Sequence, residues 1–125
     1  MKVVEIAFCG YPVTDLGRAK GFYESILGLA PSRTYGDGAE QWVEYDLGAA
    51  TLAITNMSFN DWKPSTQGPS VALEVDDFTK AIEDLRAGQV RVYLEPVRTP
   101  VCQLAVVADP DGNCVTIHQR HPHTT

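Results

Sequence analysis

Three side chains of this 125-residue chain could move a proton near neutral pH: His118, Glu44 and Glu74. An imidazole beside a carboxylate takes up and returns protons in that range, and the same three groups could hold a cation in an unorthodox arrangement. The series His118, His121 and His123 suggests a metal tail, but Pro122 and the terminal threonines make it read as a disordered chain end. Cys9, Cys102 and Cys114 are odd in number and lack Cys-x-x-Cys spacing, which fits reduced thiols in a cytosolic protein. Nucleophile motifs, phosphate-cradling glycine loops and nucleotide signatures are absent.

The elements that must position those groups come in two similar sets. Asp15 and Asp77 each follow a strand-like run (residues 3–10 and 70–75) and stand 62 positions apart (77 minus 15). Each offers a carboxylate to the free amides of a first helical turn, the N-cap role. Behind Asp15, Leu16, Ala19, Phe22, Tyr23, Ile26 and Leu27 recur at helical spacing, with Gly28 as a left-handed stop and Gly17 and Gly21 weakening the helix. Behind Asp77 the stripe is Phe78, Ala81, Ile82 and Leu85, ended by Gly88. Three strands follow each helix: residues 32–35, 41–47 and 50–55, then 90–94, 102–108 and 114–119. The turn at Asp109, Pro110, Asp111 and Gly112 echoes the one after Asp46, 63 positions earlier (109 minus 46). The expected fold is α+β: two βαβββ modules in tandem, residues 1–55 and 70–120, within a single domain.

Residues 56–69, punctuated by Pro64, Gly68 and Pro69, read as the linker. They also hold Met57, Phe59 and Trp62, which either pack on the domain or lie over a pocket as a lid. A formal charge of −6 disfavours attraction to a phosphate backbone, and the basic residues are scattered rather than clustered. No apolar run approaches the roughly 20 residues needed to span a bilayer, and no leader is visible. The expected location is cytoplasmic, with no nucleic-acid or membrane partner.

Strand alternation sorts the side chains onto two faces. Leu52, Ile54, Val71, Leu73, Val75, Leu104, Val106, Val115 and Ile117 form an apolar face suited to the helices. Phe8, Trp42, Glu44, Thr51, Ala53, Thr55, Ser70, Ala72, Glu74, Gln103, Ala105, Thr116 and His118 form the other. Aromatics, hydroxyls, two carboxylates and an imidazole are too polar for a dry core and suit a small-molecule pocket.

With Val13, Thr14, Asp15 and Leu16, then Phe22, Tyr23, Leu27, Gly28 and Leu29, and later the run from Ala108 to Gly112, the chain resembles the vicinal oxygen chelate superfamily. That group includes glyoxalase I, extradiol dioxygenases, and fosfomycin- and bleomycin-resistance proteins. The resemblance implies curved mixed sheets enclosing a cavity, completed by a homodimer. It also implies four metal-ligand positions, commonly histidine and glutamate. Counting from the capping aspartates and the late turn, those positions hold Phe8, Ser70, Ala53 and Thr116, none a reasonable ligand for a divalent cation. No metal or other cofactor is therefore expected.

The expected function is metal-independent binding of a hydrophobic or cationic small molecule, as in the bleomycin-resistance branch. Its contacts would be Phe8, Trp42, Glu44, Ala53, Trp62, Ser70, Glu74, Gln103, Thr116 and His118. The aromatics would stack on a planar ligand, and Glu44 and Glu74 would meet positive groups. The alternatives are a lyase or isomerase using His118 with Glu44 or Glu74, a glyoxalase- or dioxygenase-like enzyme with non-standard metal ligands, and a scaffold with a vestigial cavity.

Overall fold

The structure, a computed structural model, describes residues 2, 4–57 and 62–121. Val3, Phe59, Pro122 and His123, which enter the expectations above, lie outside the described residues. The chain divides inside the expected linker into two compact units, Met1–Pro64 and Ser65–Thr125.

The first unit runs β1 (Cys9–Pro12), α1 (Leu16–Lys20), a π-helical turn (Gly21–Ile26), β2 (Arg33–Tyr35), β3 (Trp42–Leu47) and β4 (Ala50–Thr55). Its sheet order is β1-β4-β3-β2, with β1 parallel to β4 and the other pairs antiparallel. The second unit runs β5 (Val71–Glu74), α2 (Phe78–Ala87), β6 (Val92–Arg98), β7 (Cys102–Ala108) and β8 (Cys114–Arg120). Its order, β5-β8-β7-β6, has the same pattern of parallel and antiparallel pairs. The fold is thus two four-stranded mixed sheets in tandem βαβββ modules. No helix among the described residues is long and apolar enough to cross a membrane.

The two aspartates act as the spacing predicts. Asp15 Oδ1 accepts from the Arg18 amide and Asp77 Oδ1 from the Lys80 amide, each at 3.0 Å, with both caps in extended backbone. The first helix departs from expectation. It widens after Lys20, so that the Leu27 amide donates to the Phe22 carbonyl, five residues back, at 2.9 Å. Gly21 loosens the regular ladder there, and the wider turn lets adjacent Phe22 and Tyr23 both face the sheet, at 3% and 0% exposure. Gly28 supplies the left-handed stop, with φ of +76°. At the end of α2 the left-handed residue is Gln89 (φ 56°) rather than Gly88 (φ −81°).

The first strand is shorter at its start and longer at its end than residues 3–10. Cys9 is in register with Leu52 and β4 begins only two residues earlier, at Ala50. A parallel partner extended backwards therefore has nothing to pair with before residue 7. At the other end Pro12 stays in register with Thr55, which an edge strand tolerates because its outer side needs no amide donor.

Candidate ligand-binding surface

In the first unit the helical segment covers one face of the sheet. Tyr23 lies 6.4 Å, centroid to centroid, from both Tyr11 and Tyr45, and the Tyr45 hydroxyl donates to Glu24 at 2.8 Å. Burial, and then the Glu24 carboxylate, hold the Tyr45 hydroxyl well above its ordinary pKa, so it remains a neutral donor. Cross-strand register places Leu52, Ile54 and Val43 on this face, as alternation predicts.

The opposite face carries Gly10, Arg33, Tyr35, Trp42, Glu44, Asp46 and Ala53. Phe8 meets Trp42 edge-on, with centroids 5.1 Å apart and ring planes at 82°. Gly10 is the reason the tryptophans can converge. A Cβ placed there would stand 3.1 Å from Cη2 of Trp62 and 3.7 Å from Cη2 of Trp42. A glycine inside a strand marks a close approach of this kind. Phe8 is 46% exposed and Trp62 39%, so the cluster presents ring surface outwards. Tyr35, in register with Trp42, adds a further exposed ring. Ala53 sits beneath with no exposed surface, so it is part of the floor rather than a contact.

A chain of polar bonds fixes the edge of this platform. The Arg33 guanidinium donates to Glu44 Oε1 at 2.7 Å and to both Asp46 oxygens at 2.9 and 2.6 Å. The second oxygen of Glu44 accepts the indole N–H of Trp42 at 2.9 Å. Arg33 first, and the Trp42 indole second, hold Glu44 below the usual carboxylate range. Both oxygens of Glu44 are therefore engaged within the protein, one by Arg33 and one by the Trp42 indole. Sequence reasoning passed over Arg33, Asp46 and Gly10. The missing signal is register, since Arg33 faces Glu44 only because β2 pairs with β3 in that alignment.

In the second unit α2 covers the face of Val71, Leu73, Val115 and Ile117, and the Gln119 side chain accepts the Phe78 amide at the helix start, at 2.8 Å. The face assignment of β7 is reversed. Gln103 pairs with Gln119 and Ala105 with Ile117, on the helix side; Leu104 and Val106 pair with His118 and Thr116, on the open side. Alternation alone fixes the faces of a strand only up to a one-residue slip, and β7 took the other choice. Gln103 is thereby removed from the face of Glu74 and His118.

That open face brings Glu74 and His118 together in direct cross-strand register, with Ala72 and Thr116 as the next pair. His118 Nδ1 and Glu74 Oε1 are 2.5 Å apart, and Glu74 Oε2 accepts the Arg120 amide at 2.7 Å. The Arg120 amide first, and His118 second, hold Glu74 below the usual carboxylate range. Glu44 belongs to the first unit, on β3. Ser70 is exposed and precedes β5 by one residue. The late turn is held from within: Asp109, 3% exposed, accepts from the Asp111 and Asn113 amides and from the Asn113 side chain.

These modules can be compared with known proteins. The model of the Glyoxalase/Bleomycin resistance protein/Dioxygenase superfamily matches residues 5–117. The chain belongs to that superfamily. Among solved structures it is similar to TnmS3, an antibiotic binding protein from Streptomyces sp. CB03234, with 25% identity, a TM-score of 0.73, and coverage of 97% of this chain and 99% of that one. A glyoxalase/bleomycin resistance protein from the same Streptomyces sp. CB03234 matches at 25% identity and TM-score 0.71, covering 92% and 100%. The glyoxalase/bleomycin resistance protein/dioxygenase from Alicyclobacillus acidocaldarius shares the fold at 17% identity and TM-score 0.69, covering 94% and 92%. No curated protein matches the chain.

The metal that many superfamily members carry does not fit the residues at the corresponding positions. Phe8 gives a ring edge to Trp42, Ala53 has no donor atom, and Ser70 and Thr116 offer only neutral hydroxyls. Among the described residues no three His, Cys, Asp or Glu side chains are grouped so as to hold an ion.

Proposed function

We infer that this superfamily member is a binding protein that sequesters a small, flat, largely apolar molecule, with no metal taking part. The observation that carries this reading is the partly exposed cluster of Phe8, Trp42 and Trp62 over Gly10. Rigid aromatic rings give large contact area at little entropic cost, and the preset Trp42 indole lowers that cost further. Positive charge on the ligand is tolerated rather than required. Arg33, Glu44 and Asp46 sum to one negative charge at the platform edge, and the whole chain carries −6. The antibiotic-binding name of TnmS3 supports a drug or secondary metabolite as the ligand class.

A cytoplasmic location agrees with the three free thiols. A homodimer agrees with Val4 and Ile6, exposed at 78% and 83% ahead of edge strand β1, which a second copy would cover. The test is titration of tryptophan emission with 9-aminoacridine and with bleomycin, repeated on Trp42→Ala. Saturable quenching with a micromolar midpoint, lost in the variant, is expected; no response to either compound at millimolar concentration refutes the reading.

A further inference from the structure

We propose that His118 is a proton-accepting subsite, in which its Nε2 takes a hydrogen bond from an acidic hydroxyl, phenolic or enolic, on a small molecule. All of its residues belong to the second unit, whereas the aromatic platform belongs to the first. Glu74 is anchored at both oxygens, by the Arg120 amide on one and by His118 Nδ1 on the other. A carboxylate has no proton to give, so the short contact requires Nδ1 to carry the hydrogen. In the neutral imidazole that fixes the tautomer and leaves Nε2 with a bare lone pair on the far side of the ring; the imidazolium carries a hydrogen there and is not the binding form. Nε2 has no hydrogen-bond partner among the described residues, and the imidazole is 24% exposed.

The surroundings favour an acidic donor. In the same cross-strand row His118 is flanked by Glu74 on β5 and Leu104 on β7; in the next row Thr116 is flanked by Ala72 and Val106. Along β8 the neighbours of His118 on this face are the Thr116 hydroxyl on one side and, on the other, Arg120, whose charge acts on Glu74. The remaining flanking side chains are small or apolar, so the nearby cation also favours a hydroxyl that gives up its proton. An imidazole polarised by a carboxylate is a better acceptor than a free one, and the gain is largest for hydroxyls that share their proton readily. The site binds without consuming its ligand: the proton moves along one hydrogen bond and no other bond changes.

The experiment uses 15N-labelled full-length protein and long-range proton–nitrogen correlation of the histidine rings, with His118→Gln assigning the resonance. The probes are 4-nitrophenol and its methyl ether 4-nitroanisole, which has the same ring and no hydroxyl proton. The wild type should show the Nδ1–H tautomer, and 4-nitrophenol should shift Nε2 of His118 while 4-nitroanisole leaves it in place. In Glu74→Ala, with the backbone spectrum confirming the fold, the tautomers should mix and 4-nitrophenol affinity should fall about 3- to 10-fold. An Nε2–H tautomer in the wild type, equal shifts from both probes, or no shift at saturating 4-nitrophenol overturns the proposal. Platform binding is read by tryptophan emission, so failure of one site is distinguishable from failure of the other.

Discussion

Replacing Glu44 tests whether it acts by charge or by holding Trp42. In Glu44→Ala the Trp42 indole loses its acceptor, while Arg33 keeps both bonds to Asp46. The Arg33–Glu44 pair adds little, because the arginine side chain is 42% exposed and solvent screens it. The hydrogen bond from a part-buried indole to a carboxylate is worth about 1 to 2 kcal/mol in stability. A freed Trp42 must then be ordered again by the ligand, at about 0.5–1.5 kcal/mol, or roughly 2- to 12-fold in affinity. Glu44→Gln keeps one carbonyl oxygen for the indole and gives up the acceptor of Arg33, which still holds both Asp46 oxygens, so its affinity should stay within about twofold of wild type by the same reasoning.

The assay is acrylamide quenching of tryptophan emission in a Trp62→Phe background, where Trp42 is the remaining tryptophan of the 2 in the chain, together with urea melts and 9-aminoacridine binding. Acid supplies a second arm. The folded pKa of Glu44 lies below its unfolded value, so its contribution is complete above about pH 4.3 and is lost as pH falls through the folded value. Trp42 emission should therefore hold steady from neutrality to about pH 5 and change only below the usual carboxylate range. An alanine variant with unchanged quenching and affinity, a glutamine variant as damaged as alanine, or an emission transition near pH 6 would each refute the positioning role.

Three further outcomes follow from the packing. Gly10→Val places a Cβ 3.1 Å from the Trp62 ring and should displace it, weakening acridine binding about 10-fold while the urea midpoint moves little; retained affinity would mean that Trp62 is not part of the platform. Gln89→Gly relieves a left-handed backbone at the end of α2 and should raise stability by about 0.5–1 kcal/mol, seen as a higher melting temperature. Asp77→Ala removes the acceptor of the Lys80 amide and should cost about 1 kcal/mol in a urea melt, with Asp77→Asn recovering most of it.

Much of this architecture is legible in the sequence, for local reasons. Asp15 and Asp77 announce two capped helices because a short carboxylate before an apolar stripe satisfies amides that nothing else nearby can. Glycines and the Asp109 turn mark the strand ends, and the repeat of these signals gives tandem βαβββ modules. The residue identities at Phe8, Ala53, Ser70 and Thr116 likewise come from the sequence, and with them the poor fit to a divalent cation. Pairing was not legible. The open side of β7 belongs to Leu104 and Val106 rather than Gln103, because register against β8, not alternation within β7, chooses the face. The partners of the two glutamates also depended on it: strand pairing put Arg33 beside Glu44 and His118 beside Glu74, giving each carboxylate an internal partner. Capping and turning are settled within a few residues of chain, whereas the partner of a side chain across a sheet is settled only when distant strands align.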